Sequence, residues 1–146
     1  METKIVKLFL RFSIAAGMLS AVADRFGIWY KEVSSWGNWK SFLVYTRSLN
    51  PWFPTSMIPF VGGVATAAET IFGFCLLIGF KTEFFAKLTG CLTLLFGIAM
   101  GFSISIKAPL DYSVFAASAA AFALSLLKEK FFEVDTLLQK TVAKYF

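Results

Sequence analysis

The feature that most constrains this chain is the run from Ile58 to Phe80, which carries one ionisable group, Glu69, near its midpoint. About 20 apolar residues in a helix cover the ~30 Å hydrocarbon core of a bilayer. A charge at the centre of such a helix costs roughly 2.5–3.5 kcal/mol on insertion scales. Glu69 therefore needs a partner, a cavity or a function. At ~100° per residue, Gly62, Thr66, Glu69, Thr70 and Gly73 fall on one face. A stripe of small and hydroxyl-bearing residues points toward other helices rather than lipid. The expectation is a protonated Glu69, either hydrogen-bonded within the molecule or in contact with a ligand.

Three further runs read as spans, Ile5–Ala23, Leu88–Ile106 and Asp111–Leu127, so residues 1–146 form one domain with four membrane helices. Hydrophobic residues make up 58% of the chain and charged residues 16%, against about a quarter charged in soluble domains. Lys4 and Lys7 before the first run, and Ala21-Val22-Ala23 near its end, resemble a signal peptide. Arg11 interrupts the apolar region, which favours a retained helix. Arg11 is expected to snorkel to the interface, with a pairing to Glu69 as the alternative. Ser13, Gly17, Ser20 and Asp24 share a face of this helix, and Gly97 and Gly101 form a small-xxx-small pair in the third. The Gly97–Gly101 face packs within the bundle or between copies in a homo-oligomer.

Residues Asp24 to Met57 form the long connection and hold all four tryptophans, Trp29, Trp36, Trp39 and Trp52. Such rings concentrate at membrane–water interfaces. Asn38 is placed to cap a short helix from Trp39 to Leu49, with Trp39, Phe42, Leu43 and Thr46 on one side. Asn50-Pro51 and Pro54 end it. This helix lies on the bilayer as an aromatic belt, or covers the bundle as a lid. The tail from Lys128 to Phe146 reads as a cytoplasmic amphipathic helix capped by Asp135, with Leu137, Leu138, Val142 and Tyr145 toward the membrane. With both termini in the cytoplasm, nine Lys and Arg lie inside (Lys4, Lys7, Arg11, Lys81, Lys87, Lys128, Lys130, Lys140, Lys144). Five lie outside (Arg25, Lys31, Lys40, Arg47, Lys107). The positive-inside rule favours that orientation.

Several chemistries are disfavoured. Histidine is absent, which removes the usual haem ligand, the commonest metal ligand and the neutral-pH base. No nucleophile–base pair, phosphate loop or metal-ligand spacing is present. The net charge of +5 collects at span ends rather than on a basic stripe, which argues against nucleic acid. Cys75 and Cys91 sit in apolar runs and read as buried packing residues. Two charged sets remain at the outer side, Asp24 with Arg25 and Lys107 with Asp111. They are expected to clasp helix ends together, with Arg47 in reach from the interfacial helix, or to line a polar vestibule.

The stretches Ser20-Ala21-Val22-Ala23-Asp24-Arg25-Phe26-Gly27, Tyr45-Thr46, Leu49-Asn50-Pro51-Trp52, Ala65-Thr66-Ala67-Ala68-Glu69 and Lys107-Ala108-Pro109-Leu110-Asp111-Tyr112-Ser113 together resemble the DoxX family of small bacterial membrane proteins. The resemblance runs from Arg11 to about Ser125. It implies an all-α, integral membrane four-helix bundle in the bacterial inner membrane. It also implies an accessory or quinone-facing subunit of a membrane redox or oxidative-stress complex, with a redox enzyme subunit as partner. A non-catalytic assembly or scaffold factor is the alternative. No covalently bound cofactor is implied; a quinone is the expected ligand. Carried over residue by residue, the family sites fall on Asp24, Arg25, Asn50, Glu69, Lys107 and Asp111, with Thr66 and Thr70 beside Glu69.

Overall fold

The computed structural model describes residues 1–136, which contain helices and no strand. In chain order these are α1 (Glu2–Arg25), α2 (Trp39–Leu49), a 3-10 turn (Thr55–Met57), α3 (Ile58–Ile78), α4 (Thr82–Ser103), α5 (Lys107–Asp111) and α6 (Val114–Leu126). Three helical stretches, Glu2–Arg25, Thr55–Ile78 and Thr82–Ser103, are long and apolar enough to cross a membrane.

Local chemistry sets the helix ends. α2 spans the residues its sequence predicts, and the Asn38 side chain accepts from the Ser41 amide 2.9 Å away. α3 starts with Pro59 in its first turn, where no amide partner is lost. It stops at Gly79, which is left-handed at φ 73°. There Gly79 N–H donates to Leu76 and Phe80 N–H to Cys75, closing the last carbonyls. Gly79 is required twice over, because a Cβ at this position would lie 2.7 Å from the Glu133 backbone.

The fourth predicted span, Asp111–Leu127, is corrected. The chain breaks at Tyr112–Ser113, where Ser113 takes φ 54° and its N–H turns back to Leu110. α6 restarts from Ser113 and has 13 residues, roughly 20 Å of helix, too short to cross a bilayer alone. The third span ends at Ser103 rather than Ile106.

α1 packs against α3 and α6, and α4 packs against α3 and α6, so the four surround a common centre. Ala15, Leu76, Ala86 and Leu124, one from each helix, are fully buried there. α4 and α6 run antiparallel with glycines as sockets. A Cβ at Gly90 would lie 2.9 Å from the Phe122 ring, and one at Gly97 2.8 Å from Phe115. Ser118 Oγ donates to the Gly90 carbonyl at 2.8 Å. The Gly97 side of the small-xxx-small pair is therefore used within the molecule.

The surface reverses that of a soluble protein. Lys7, Arg11, Arg25, Glu69 and Glu133 are buried, while Phe9, Phe60, Phe74 and Phe102 are exposed. Cys91 is exposed as well and Cys75 half-buried, so only Cys75 approaches the expected packing role.

The tail also departs from expectation. Residues 128–133 are not helical; they cross the end of the bundle as a strap, and helix resumes at 134–136. Asp135 accepts from the Lys81 amide at 2.9 Å and lies inside the resumed helical segment rather than before it. Leu137, Leu138, Val142 and Tyr145 lie outside the described residues.

Candidate functional site

α1 ends on Asp24 and Arg25, and both are buried. Asp24 accepts from the Ser34 hydroxyl and from the amides of Ser35 (3.1 Å) and Trp36 (2.8 Å). The carboxylate thus gathers a loop that would otherwise leave the bundle, and it fixes Trp36 in place. The loop is tight: Gly27 and Gly37 are both left-handed at φ 68°, and a Cβ at Gly27 would lie 2.9 Å from the Gly37 carbonyl oxygen.

Arg25 turns inward. Its Nη1 forms an ion pair with Glu69 Oε2 and donates to Thr66 Oγ1 at 2.7 Å. The guanidinium lies 4.1 Å from the centroid of Phe42 and 5.4 Å from that of Trp36. Trp36 meets Phe42 edge-on at 5.3 Å and also touches Tyr45 and, through Phe42, Trp39. α2 reaches this position because Gly62 leaves room; a Cβ there would meet Leu43 at 2.8 Å and Phe42 at 3.2 Å. Burial, and then Tyr112, push the Tyr45 phenol up from its ordinary range.

Glu69 is therefore half of a buried ion pair under an aromatic lid. The partner that Glu69 needs is Arg25 at the end of α1, a pairing the sequence did not single out. Arg11, the alternative partner, is at the opposite end. It is 1% exposed and does not snorkel. It donates to the carbonyls of Phe131 (3.1 Å) and Phe132 (2.6 Å) and lies 3.8 Å from Glu133. Lys7, also buried, contacts Glu133 at 2.7 Å and the Glu129 carbonyl. Sequence reasoning missed this cluster; its signal was Glu133, an acid following a basic, aromatic stretch after the last span.

The structure brings Asp24, Arg25, Thr66 and Glu69 together, with Trp36 and Trp39 half-buried above them. Thr70 is adjacent but spends its hydroxyl on the Thr66 carbonyl at 2.7 Å. Asn50 closes α2, donating to the Thr46 carbonyl at 2.9 Å. Trp29 and Trp52 are exposed, and Trp29 Nε1 donates to Ser20. Lys107 and Asp111 pair with each other on the surface, 77% and 55% exposed. Arg47 bonds the Phe53 carbonyl. The expected clasp between the two outer charge sets is thus not formed: α5 ends in an exposed turn, and Asp24 is spent on its own loop.

A quinone ring needs a flat slot and a donor facing it. Here one guanidinium nitrogen serves Glu69 and Thr66, aromatic rings lie beside the guanidinium, and Nε is buried without a hydrogen-bond partner among the described residues. That Nε is an unpaired donor, the kind of group a quinone carbonyl could accept from. No group of three or more His, Cys, Asp or Glu able to hold a metal occurs among the described residues. What the arrangement does chemically is hold two helices and a lid in one register. The chain matches no family model, no curated protein and no solved structure.

Proposed function

We propose that the protein is a multi-pass, DoxX-like four-helix bundle of the bacterial inner membrane, with α5 and α6 together making the fourth crossing and both termini cytoplasmic. In this reading it serves as a non-catalytic accessory subunit that assembles with a membrane redox enzyme. The observation that carries the non-catalytic part is the pairing of Glu69 with Arg25. The carboxylate at the middle of α3 is spent on an internal ion pair. The inside-out surface supports the membrane part, since phenylalanines face outward along helices of spanning length. The redox partner rests on the family resemblance alone.

The test is in-cell crosslinking followed by purification in mild detergent and mass spectrometry. A defined membrane oxidoreductase subunit should co-purify, in constant ratio, with no quinone retained. Glu69→Gln should lower the melting temperature and the yield of complex together. Stoichiometric quinone, lost in Glu69→Gln at unchanged melting temperature, would instead make Glu69 a ligand contact.

A further inference from the structure

The strap and the α3–α4 turn flank an open, shallow pocket of about 370 Å3, lined by Lys81, Glu83, Phe84, Lys130 and Asp135. We propose that it takes the headgroup of a zwitterionic aminophospholipid from the inner leaflet, a site that rests on the membrane reading above. The pocket sits where the apolar run of α3 ends, its first residue Lys81 two positions beyond the Gly79 cap, the level at which headgroups begin. Its rim carries two ammonium groups, two carboxylates and one phenyl ring, and Phe84 is 55% exposed on the side facing out from the bundle.

Glu83 is paired with Lys128 at 2.7 Å, but that lysine is 71% exposed and a lipid ammonium can take its place; the pocket lysines retain capacity. Lys81 has no ion-pair partner among the described residues. It is held at φ 42°, a conformation unfavourable to a side-chain-bearing residue, with its amide bound by Asp135. Lys130 Nζ lies 3.6 Å from both Glu133 and Asp135, too far for hydrogen bonds, so its donors are available. A phosphate fits between Lys81 and Lys130, and a primary ammonium between Glu83 and Asp135. A purely anionic headgroup would face two carboxylates. A choline headgroup has no N–H to donate to them. Phe84 covers the start of the acyl chains, which selects the lipid over its free headgroup.

The experiment is native mass spectrometry of the full chain released from detergent. The detergent contains equal amounts of phosphatidylethanolamine, phosphatidylcholine and phosphatidylglycerol. The site predicts that phosphatidylethanolamine is retained about fivefold over each of the others, the sum of two half-exposed charge contacts. Lys81→Gln with Glu83→Gln should erase the preference at unchanged melting temperature. If the pair fails to fold, Lys81→Gln alone should halve it. Soluble phosphoethanolamine at the same concentration should not displace the lipid. Equal retention, preference for phosphatidylglycerol, a preference that survives the substitutions, or displacement by phosphoethanolamine each overturns the proposal. A chain that leaves the membrane fraction in carbonate overturns the membrane reading itself, which the lipid comparison alone does not.

Discussion

Arg25 and Glu69 are each costly alone and tolerable together. Removing one member of a buried pair leaves an uncompensated charge, at about 3 kcal/mol. Removing both trades the pair for two neutral amides. Arg25→Gln and Glu69→Gln should therefore each destabilise by about 3 kcal/mol, and the double variant by about 2 kcal/mol less than their sum. Thermal unfolding in detergent measures this, and additive effects would mean that the two groups are not coupled. Asp24 acts on the lid. Asp24→Asn weakens three hydrogen bonds to residues 34–36 and should cost about 1–2 kcal/mol, with faster acrylamide quenching of tryptophan. Unchanged quenching would show that Trp36 is held by packing alone. The importance of Glu69 was legible in the sequence because a lone carboxylate in an apolar helix is visible in one dimension. Its partner was not. Arg25 lies beyond the apparent end of the first span, and only the antiparallel packing of α1 on α3 brings it to Glu69.

Among the elements, α4 and α6 show how glycine position decides packing. Gly90→Ala forces a methyl against the Phe122 ring and should cost about 1–3 kcal/mol. Gly17→Ala, with nothing within 4 Å of the new methyl, should be neutral or stabilise by up to about 1 kcal/mol. Equal effects at both sites, by thermal unfolding, would refute the socket geometry. The strap is held by polar links: Lys7 and Arg11 to its carbonyls and to Glu133, and Asp135 to Lys81. Glu133→Ala orphans two buried cations, so it should cost about 3 kcal/mol and open residues 128–133 to limited proteolysis. α2 could be read residue for residue because its cap and its apolar face are local. The strap could not, because Arg11 and Phe131 are separated by 120 positions and no periodicity links them. The break before α6 was hidden for another reason: its cause is one left-handed serine within an apolar run.

At the scale of the molecule, charge sits inside and phenylalanine outside, with an ion cluster at each end of the bundle. One, around Arg25, joins α1 to α3 beneath the aromatic lid; the other, around Glu133, joins α1 to the strap. Between them lies a core to which each of the four helices contributes at least one fully buried apolar side chain. Such a molecule is stable where its outer faces meet hydrocarbon. The central claim is that the lid and the strap lie on opposite sides of a membrane, and cysteine accessibility tests it most directly. Cys75 and Cys91 are replaced by Ser, and a single cysteine is introduced as Trp29→Cys or Lys128→Cys, both exposed positions. A membrane-impermeant maleimide added to intact cells with a permeable outer membrane should label Trp29→Cys at once and Lys128→Cys only after lysis. Labelling of both positions in intact cells, or of neither, would contradict the account.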